Sequence, residues 1–244
     1  MKIKILLGLI FLSINQSWAQ GVVDDFNGSS INSSLWTIYN TPTGNSSVTE
    51  GGGNATFDNG AGLMTISSFT AASVSGSFQF TGDNDDRFSI FLRFDGTSFD
   101  SHWEEPSDGI QIQFAPSSNP SPSNPSLQIN DRLNDVNTPL SSLNPEIDMG
   151  TYYNFLITDS GSLINVFLTD TSTPILSATT TDSYGDIIGI FNRSQLAVGG
   201  PQHETELDSI NIQPAPEPST FSLAAIGIIL MILVHGKIKN EIAK

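Results

Sequence analysis

Phe88-Ser89-Ile90-Phe91-Leu92-Arg93-Phe94, followed after a loop by Gly109-Ile110-Gln111-Ile112-Gln113-Phe114, decides the fold class. Apolar side chains at every second position match the period of a strand, whose successive residues point to opposite faces, and match no helical face. In the first run Phe88, Ile90, Leu92 and Phe94 share one side, and Ser89, Phe91 and Arg93 share the other. The pattern returns at Leu127 and Ile129, at Tyr153, Phe155 and Ile157, at Ile164, Val166 and Leu168, at Ile188 and Ile190, and at Ile210 and Ile212. Asp159-Ser160-Gly161 predicts a hairpin turn between two of these runs. No helical period of useful length lies between Gln20 and Gln213. About eleven short strands, punctuated by Gly, Asn, Asp and Pro, predict two packed antiparallel sheets, with a closed barrel as the lesser alternative. Ala115 to Ser126 is dense in Pro, Ser and Asn and reads as a surface loop, and no internal repeat suggests a solenoid or propeller.

The chain has 244 residues, no cysteine, 9 Lys and Arg against 25 Asp and Glu, and a net charge of −16. Residues 20–213 alone hold four arginines, no lysine and 23 carboxylates, so the basic residues are concentrated at the ends. A segment of that size is one domain, large enough to bury a core without disulfides. Its charge excludes nucleic acid and anionic lipid surfaces as partners, because each phosphate would meet a carboxylate. The same groups attract divalent cations, and carboxylates, hydroxyls and amides hydrogen-bond sugars. A solvated exported surface accounts for most of the acidity without further function. No nucleophile elbow or phosphate-binding glycine pattern is present.

The two ends read as addresses. Lys2 and Lys4, the apolar run Ile5 to Ile14, and Ser17-Trp18-Ala19 form a secretory signal peptide over residues 1–19, to be removed by signal peptidase. Near the other end, Pro216-Glu217-Pro218 precedes an apolar run from Phe221 to Val234 and then Lys237 and Lys239. That run is shorter than the ~20 residues of a permanent span, with a plain, strained C-terminal membrane anchor as the lesser alternative. The order of motif, short apolar helix and basic end resembles the sorting tail of bacterial PEP-CTERM proteins. The resemblance implies recognition by an exosortase, transient membrane anchoring, and delivery to the cell surface or extracellular matrix. Family tails end in arginines where this one has lysines. The expected organisation is a signal peptide at 1–19, a β-sandwich at 20–213, a Pro-rich sorting motif at 214–220, a short transmembrane helix at 221–236 and a basic cytoplasmic tail at 237–244.

Within the domain, Asp24-Asp25-Phe26-Asn27-Gly28 with Leu35 and Trp36, Gly150-Thr151-Tyr152-Tyr153-Asn154-Phe155, and Glu206-Leu207-Asp208-Ser209-Ile210-Asn211-Ile212 resemble stretches of concanavalin A-like and laminin G-like jelly rolls. The resemblance implies a first strand followed by its tryptophan, and a last strand whose aspartate holds a structural calcium. Asp208 matches that position.

Several constellations invite chemistry. Glu146-Ile147-Asp148-Met149-Gly150-Thr151 resembles the Glu-x-Asp-x-x-Glu strand of laminarinase-type hydrolases with Thr151 in place of the last glutamate. Retaining hydrolysis needs two carboxyl groups ~5–5.5 Å apart, and a threonine cannot deliver the proton. Glu146 and Asp148 therefore read as loop residues, and no catalytic residue is assigned. A polysaccharide hydrolase or lyase with carboxylates from separate strands remains the enzyme alternative. Asp83, Asp85 and Asp86 with Asn84 offer calcium ligands and equally form an ordinary turn, the preferred reading. His102-Trp103-Glu104-Glu105, with Asp108 nearby, is a poor metal site because neighbours on an extended chain diverge. Trp103, and more weakly Tyr152 and Tyr184, are candidates for stacking on a sugar ring, or simply edges of the core. His203, alone before the closing strand, carries no expected chemistry. The reading is an exported jelly roll that contacts polysaccharide without cleaving it, or a purely structural or adhesive envelope protein.

Overall fold

The structure, a computed structural model, describes residues 21–40, 46–99, 105–118, 125–170, 172–193 and 203–215. Residues 1–19, read as a signal peptide, the apolar run at 221–236, Trp103 and Pro216-Glu217-Pro218 lie outside the described residues. Among the described residues no helix is long and apolar enough to cross a membrane.

Among the described residues fifteen strands follow one another: β1 (Val22–Asp24), β2 (Trp36–Tyr39), β3 (Ser47–Gly51), β4 (Asn54–Asp58), β5 (Gly62–Thr65), β6 (Ala72–Phe80), β7 (Phe88–Phe94), β8 (Gly109–Phe114), β9 (Leu127–Leu133), β10 (Val136–Leu143), β11 (Tyr153–Asp159), β12 (Leu163–Leu168), β13 (Leu176–Thr179), β14 (Ile187–Asn192) and β15 (Glu204–Pro214). They form an eight-stranded sheet in the order β13-β12-β11-β6-β15-β4-β3, with β1 also on β15, and a seven-stranded sheet in the order β10-β9-β8-β7-β14-β5-β2. Every pairing is antiparallel. The inner faces meet in one core in which Phe78 of the first sheet packs its ring 5.1 Å from Phe88 and 4.9 Å from Phe114 of the second. The predicted sandwich and the hairpin at Asp159-Ser160-Gly161, joining β11 to β12, are both present.

The pattern of β7 departs from strict alternation at one residue. Phe91 pairs with Gly189 and Phe94 with Ile187, so Leu92 and Arg93 together oppose Ile188 in a β-bulge. Arg93 takes the left-handed conformation there, with φ 56°. The bulge moves Phe94 off the core side that sequence alternation assigns it, and it joins Phe91 and Phe191 in a second apolar cluster on the outer face. Arg93 turns across the sandwich instead. Its Nε and Nη2 donate to Asp159 at 2.9 and 2.6 Å, and Nη1 donates to the carbonyls of Thr180 and Asp182.

Strand β10 has no apolar period because it is an exposed edge, and Pro139 lies beside the register shift where the ladder is already interrupted. The two parts of the opening resemblance touch: Trp36, buried at the start of β2, donates its indole N–H to Asp24 Oδ2 of β1 at 2.8 Å.

Candidate functional site

Strand β15 carries acids at alternate positions, Glu204, Glu206 and Asp208, so a strand period places all three on the solvent side of the eight-stranded sheet. Glu206 is the hub of this row. Its Oε2 accepts from Tyr152 Oη at 3.0 Å, from Asn54 Nδ2 at 3.3 Å and from Gln79 Nε2. The tyrosine is 42% exposed and leaves its ring to solvent beside acids and amides. Partial burial, and then the charges of Glu206 and Asp208, push its phenol up to about 12. Asp208 is exposed at the register shift between Leu207 and Ser209. Opposite that shift Gly76 leaves room for the Ser209 carbonyl, which a Cβ would meet at 2.4 Å. Along the same sheet, apart from this row, runs a shallow depression of ≈640 Å³ lined by apolar groups of Val23, Phe155, Leu156 and Ile210 with Asp25 and Asn154. An exposed aromatic plane next to hydroxyls, amides and carboxylates is what a sugar ring requires: apolar contact on its face and polar contact on its edge.

The outer face of the seven-stranded sheet is closed by the chain itself. From the segment after β7, Phe99 stacks on Tyr39 with ring centroids 3.9 Å apart. Where the described chain resumes, Glu105 is only 2% exposed. Its carboxylate accepts from Arg132 Nη1 at 3.0 Å, Ser89 Oγ at 3.1 Å and Gln111 Nε2 at 3.3 Å, and Asn130 in turn donates to Gln111. Phe191 lies over Gly62 and Gly189 on the same face. The outward positions of β7, β8 and β9 include Ser89, Phe91, Phe94, Gln111, Gln113, Gln128, Asn130 and Arg132, with no carboxylate among them. Glu146 and Asp148 are exposed in the loop between β10 and β11, as their sequence context predicts.

A third polar group lies between the turn after β6 and the start of β15. Asp83, Asp86 and His203 bring a ligand atom each within 4.8 Å of one another. Asp85 is not among them: it is exposed and pairs with Arg87 at 3.2 Å. Asp83 makes the turn that sequence favours, accepting from the Asp85 amide at 2.8 Å. Burial, and then the Asp83 charge, push the Asp86 carboxyl up to about 8, and burial lowers His203.

The sequence candidates thus separate. Tyr152 and Asp208 come together around Glu206, while Tyr184 packs half-buried against the core and donates to Asp131 at 2.6 Å, far from a stacking role. Burial and that carboxylate raise its phenol. Sequence reasoning missed Glu206 although acids at every second residue of the closing strand marked the row. The burial of Glu105 and the meeting of Asp86 with His203 are set by long-range topology and left no local mark.

No protein-family model matches this sequence, and no curated protein matches it either. Solved structures do. A β-glucanase of Bacillus licheniformis superimposes with a TM-score of 0.56 at 14% identity, covering 79% of this chain and 97% of that one. The exoplasmic domain of VIP36 with Ca²⁺ and Man3GlcNAc superimposes with a TM-score of 0.59 at 9% identity, covering 80% and 88%. The fold is a concanavalin A-like jelly roll. A glycosyl hydrolase family protein from Mycobacterium fortuitum is similar at a TM-score of 0.53 and 12% identity, covering 78% and 98%. The set spans hydrolase and calcium-bound, mannose-bound structures, and at these identities it speaks for architecture alone.

Proposed function

We propose that this protein is an exported component of the bacterial cell surface or extracellular matrix, sorted by an exosortase, whose jelly roll contacts polysaccharide without cleaving it. The observation that carries the reading is the Tyr152–Glu206–Asp208 row on the solvent side of the eight-stranded sheet. It supplies an open aromatic face and a set of polar groups already held in place by hydrogen bonds. The neighbours bound to mannose oligosaccharide or named as glycosyl hydrolases are consistent with a sugar ligand.

Against hydrolysis stands the state of Glu105. Among the described residues it is the buried carboxylate on the outer face of the seven-stranded sheet, and Arg132, Ser89 and Gln111 hold it. Acid–base cleavage of a glycoside takes two carboxyl groups with free access to the bond. The reading further assigns Asp208 as the ligand of a structural calcium, and the ends of the chain to signal peptidase and exosortase.

Affinity electrophoresis of the full chain in the organism's own exopolysaccharide tests the assignment. Binding should fall at least tenfold in Tyr152→Ala and Glu206→Gln, and Trp103→Ala examines the second aromatic. Wild-type protein with no affinity, or unchanged affinity in all three variants, would remove the proposal. Release of reducing sugar by the wild type would establish the hydrolase instead. Calcium has its own test, because a ligand of the folded state raises the melting temperature. A chelator that leaves the wild-type melting temperature unchanged eliminates calcium at Asp208.

A further inference from the structure

Asp86 and His203 are far apart in sequence and are brought together where the turn following β6 meets the first residues of β15. Both are out of solvent, Asp86 fully and His203 to within 2%. Burial normally demands that polar groups be satisfied, and these are not. Asp86 Oδ1 accepts from the Glu204 amide at 3.2 Å, but Oδ2 and both ring nitrogens of His203 have no hydrogen-bond partner. The nearest approach between the two side chains, His203 Nδ1 to Asp86 Oδ1, is 3.7 Å, too long for a hydrogen bond. Asp83, half-buried, directs a third ligand atom to the same place.

We infer that Asp83, Asp86 and His203 form a binding site for a first-row divalent cation of the zinc type, which ties the turn after β6 to the start of the closing strand. The distances fit. Two ligands ~2.0–2.1 Å from a tetrahedral ion are separated by roughly 3.3 Å, so small rotations of the side chains bring the 3.7 Å pair into place. Two carboxylates balance the charge of the ion, and water takes the remaining position. The donor set selects the metal class. Calcium takes six to eight oxygens, whereas an imidazole nitrogen with two carboxylates suits zinc and its neighbours. Arg87 does not compete for the space, since its guanidinium donates to the carbonyls of Asp85 and Asp86 and pairs with Asp85. This site is separate from Asp208 and from the glycan row, and it stands or falls without them.

The test uses the full chain in mild detergent, stripped with chelator and titrated with Zn²⁺ or Ca²⁺. One equivalent of Zn²⁺ should bind at least tenfold more tightly than Ca²⁺ and raise the melting temperature. Asp86→Asn and His203→Gln should each weaken Zn²⁺ at least tenfold. Should either variant fail to fold, the wild type decides alone: of the chain's three histidines, the ring resonances of His203 should move with one equivalent of Zn²⁺. Absence of saturable Zn²⁺ binding, or binding that leaves His203 unperturbed, overturns the inference.

Discussion

Replacing Glu105 with alanine distinguishes a structural clamp from a catalytic acid. The carboxylate is 2% exposed, and its removal takes from the 3%-exposed Arg132 side chain an ion pair at 3.0 Å and from Ser89 and Gln111 a shared acceptor. Breaking a buried pair from one side costs about 3–5 kcal/mol, because the remaining charge stays out of water. In a domain of this size each kcal/mol lowers the melting temperature by about 2–4 °C, so the expected fall is roughly 6–20 °C. With m near 2 kcal/mol/M the urea midpoint should drop by about 1.5–2.5 M while m itself is unchanged. Urea unfolding of wild type and Glu105→Ala, followed by tryptophan fluorescence, measures it directly. The companion variant Glu105→Leu with Arg132→Met should recover part of the loss, since an apolar pair of similar volume removes the buried charge altogether. Polysaccharide affinity should be untouched in both, because the glycan row lies on the other sheet. A loss below ~1 kcal/mol refutes the clamp, since catalytic carboxylates are characteristically stability-neutral or better when removed.

Trp36→Phe keeps the ring in the core but deletes the hydrogen bond to the Asp24 carboxylate, and should destabilise by about 1.5–3 kcal/mol in the same urea assay. Gly62→Ala would place a Cβ 2.3 Å from the Phe191 ring, and overpacking there should cost ~1–3 kcal/mol; a neutral result would show the outer aromatic cluster to be loose. The Tyr152 phenol, raised to about 12 in the folded state, favours folding fully below its ordinary value near 10, and this contribution is lost as pH rises through about 12. Urea midpoints across that alkaline range should therefore decline less steeply in Tyr152→Phe, the residual slope including Tyr184, whose phenol is raised in the same direction. Intact mass of the protein recovered from the cell surface should begin at Gln20 and end near Pro216 to Pro218; a full-length tail would reject exosortase processing.

The strands that sequence revealed are those with two or three apolar residues on one side, such as Ile110, Ile112 and Phe114 of β8 or Ile164, Val166 and Leu168 of β12. Those it left unmarked are short or edge elements. Only Val22 of β1 faces the core, and β10 gives no signal because it is a largely exposed edge from which Leu140 alone packs against the core. The bulge in β7 was hidden for a different reason. Both Arg93 and Phe94 are plausible on either face of a strand, and only pairing with β14 fixes which one turns inward. Site residues follow the same division. The row through Glu206 and Asp208 is local and repeats with the strand period, whereas Glu105 with Arg132 and Asp86 with His203 join segments that alternation cannot relate.

The two outer faces offer unequal opportunities to a ligand, and the difference comes from the chain's own cover. To expose the seven-stranded face, Phe99 must leave Tyr39 and Glu105 must leave Arg132, which forfeits an aromatic stack of about 0.5–1.5 kcal/mol and a buried ion pair besides. A polysaccharide making several weak contacts per sugar would have to recover all of that before gaining affinity. The eight-stranded face asks for no such opening: Tyr152 is already in solvent, and Asn54, Gln79 and Glu206 are already oriented by one another. Preorganised groups lose less entropy on binding, so the same contacts yield more net affinity there. Among the described residues, therefore, the chain's own side chains bury the outer face of one sheet and leave the Tyr152–Glu206 row of the other open, so a ligand that reached both would gain more from the second.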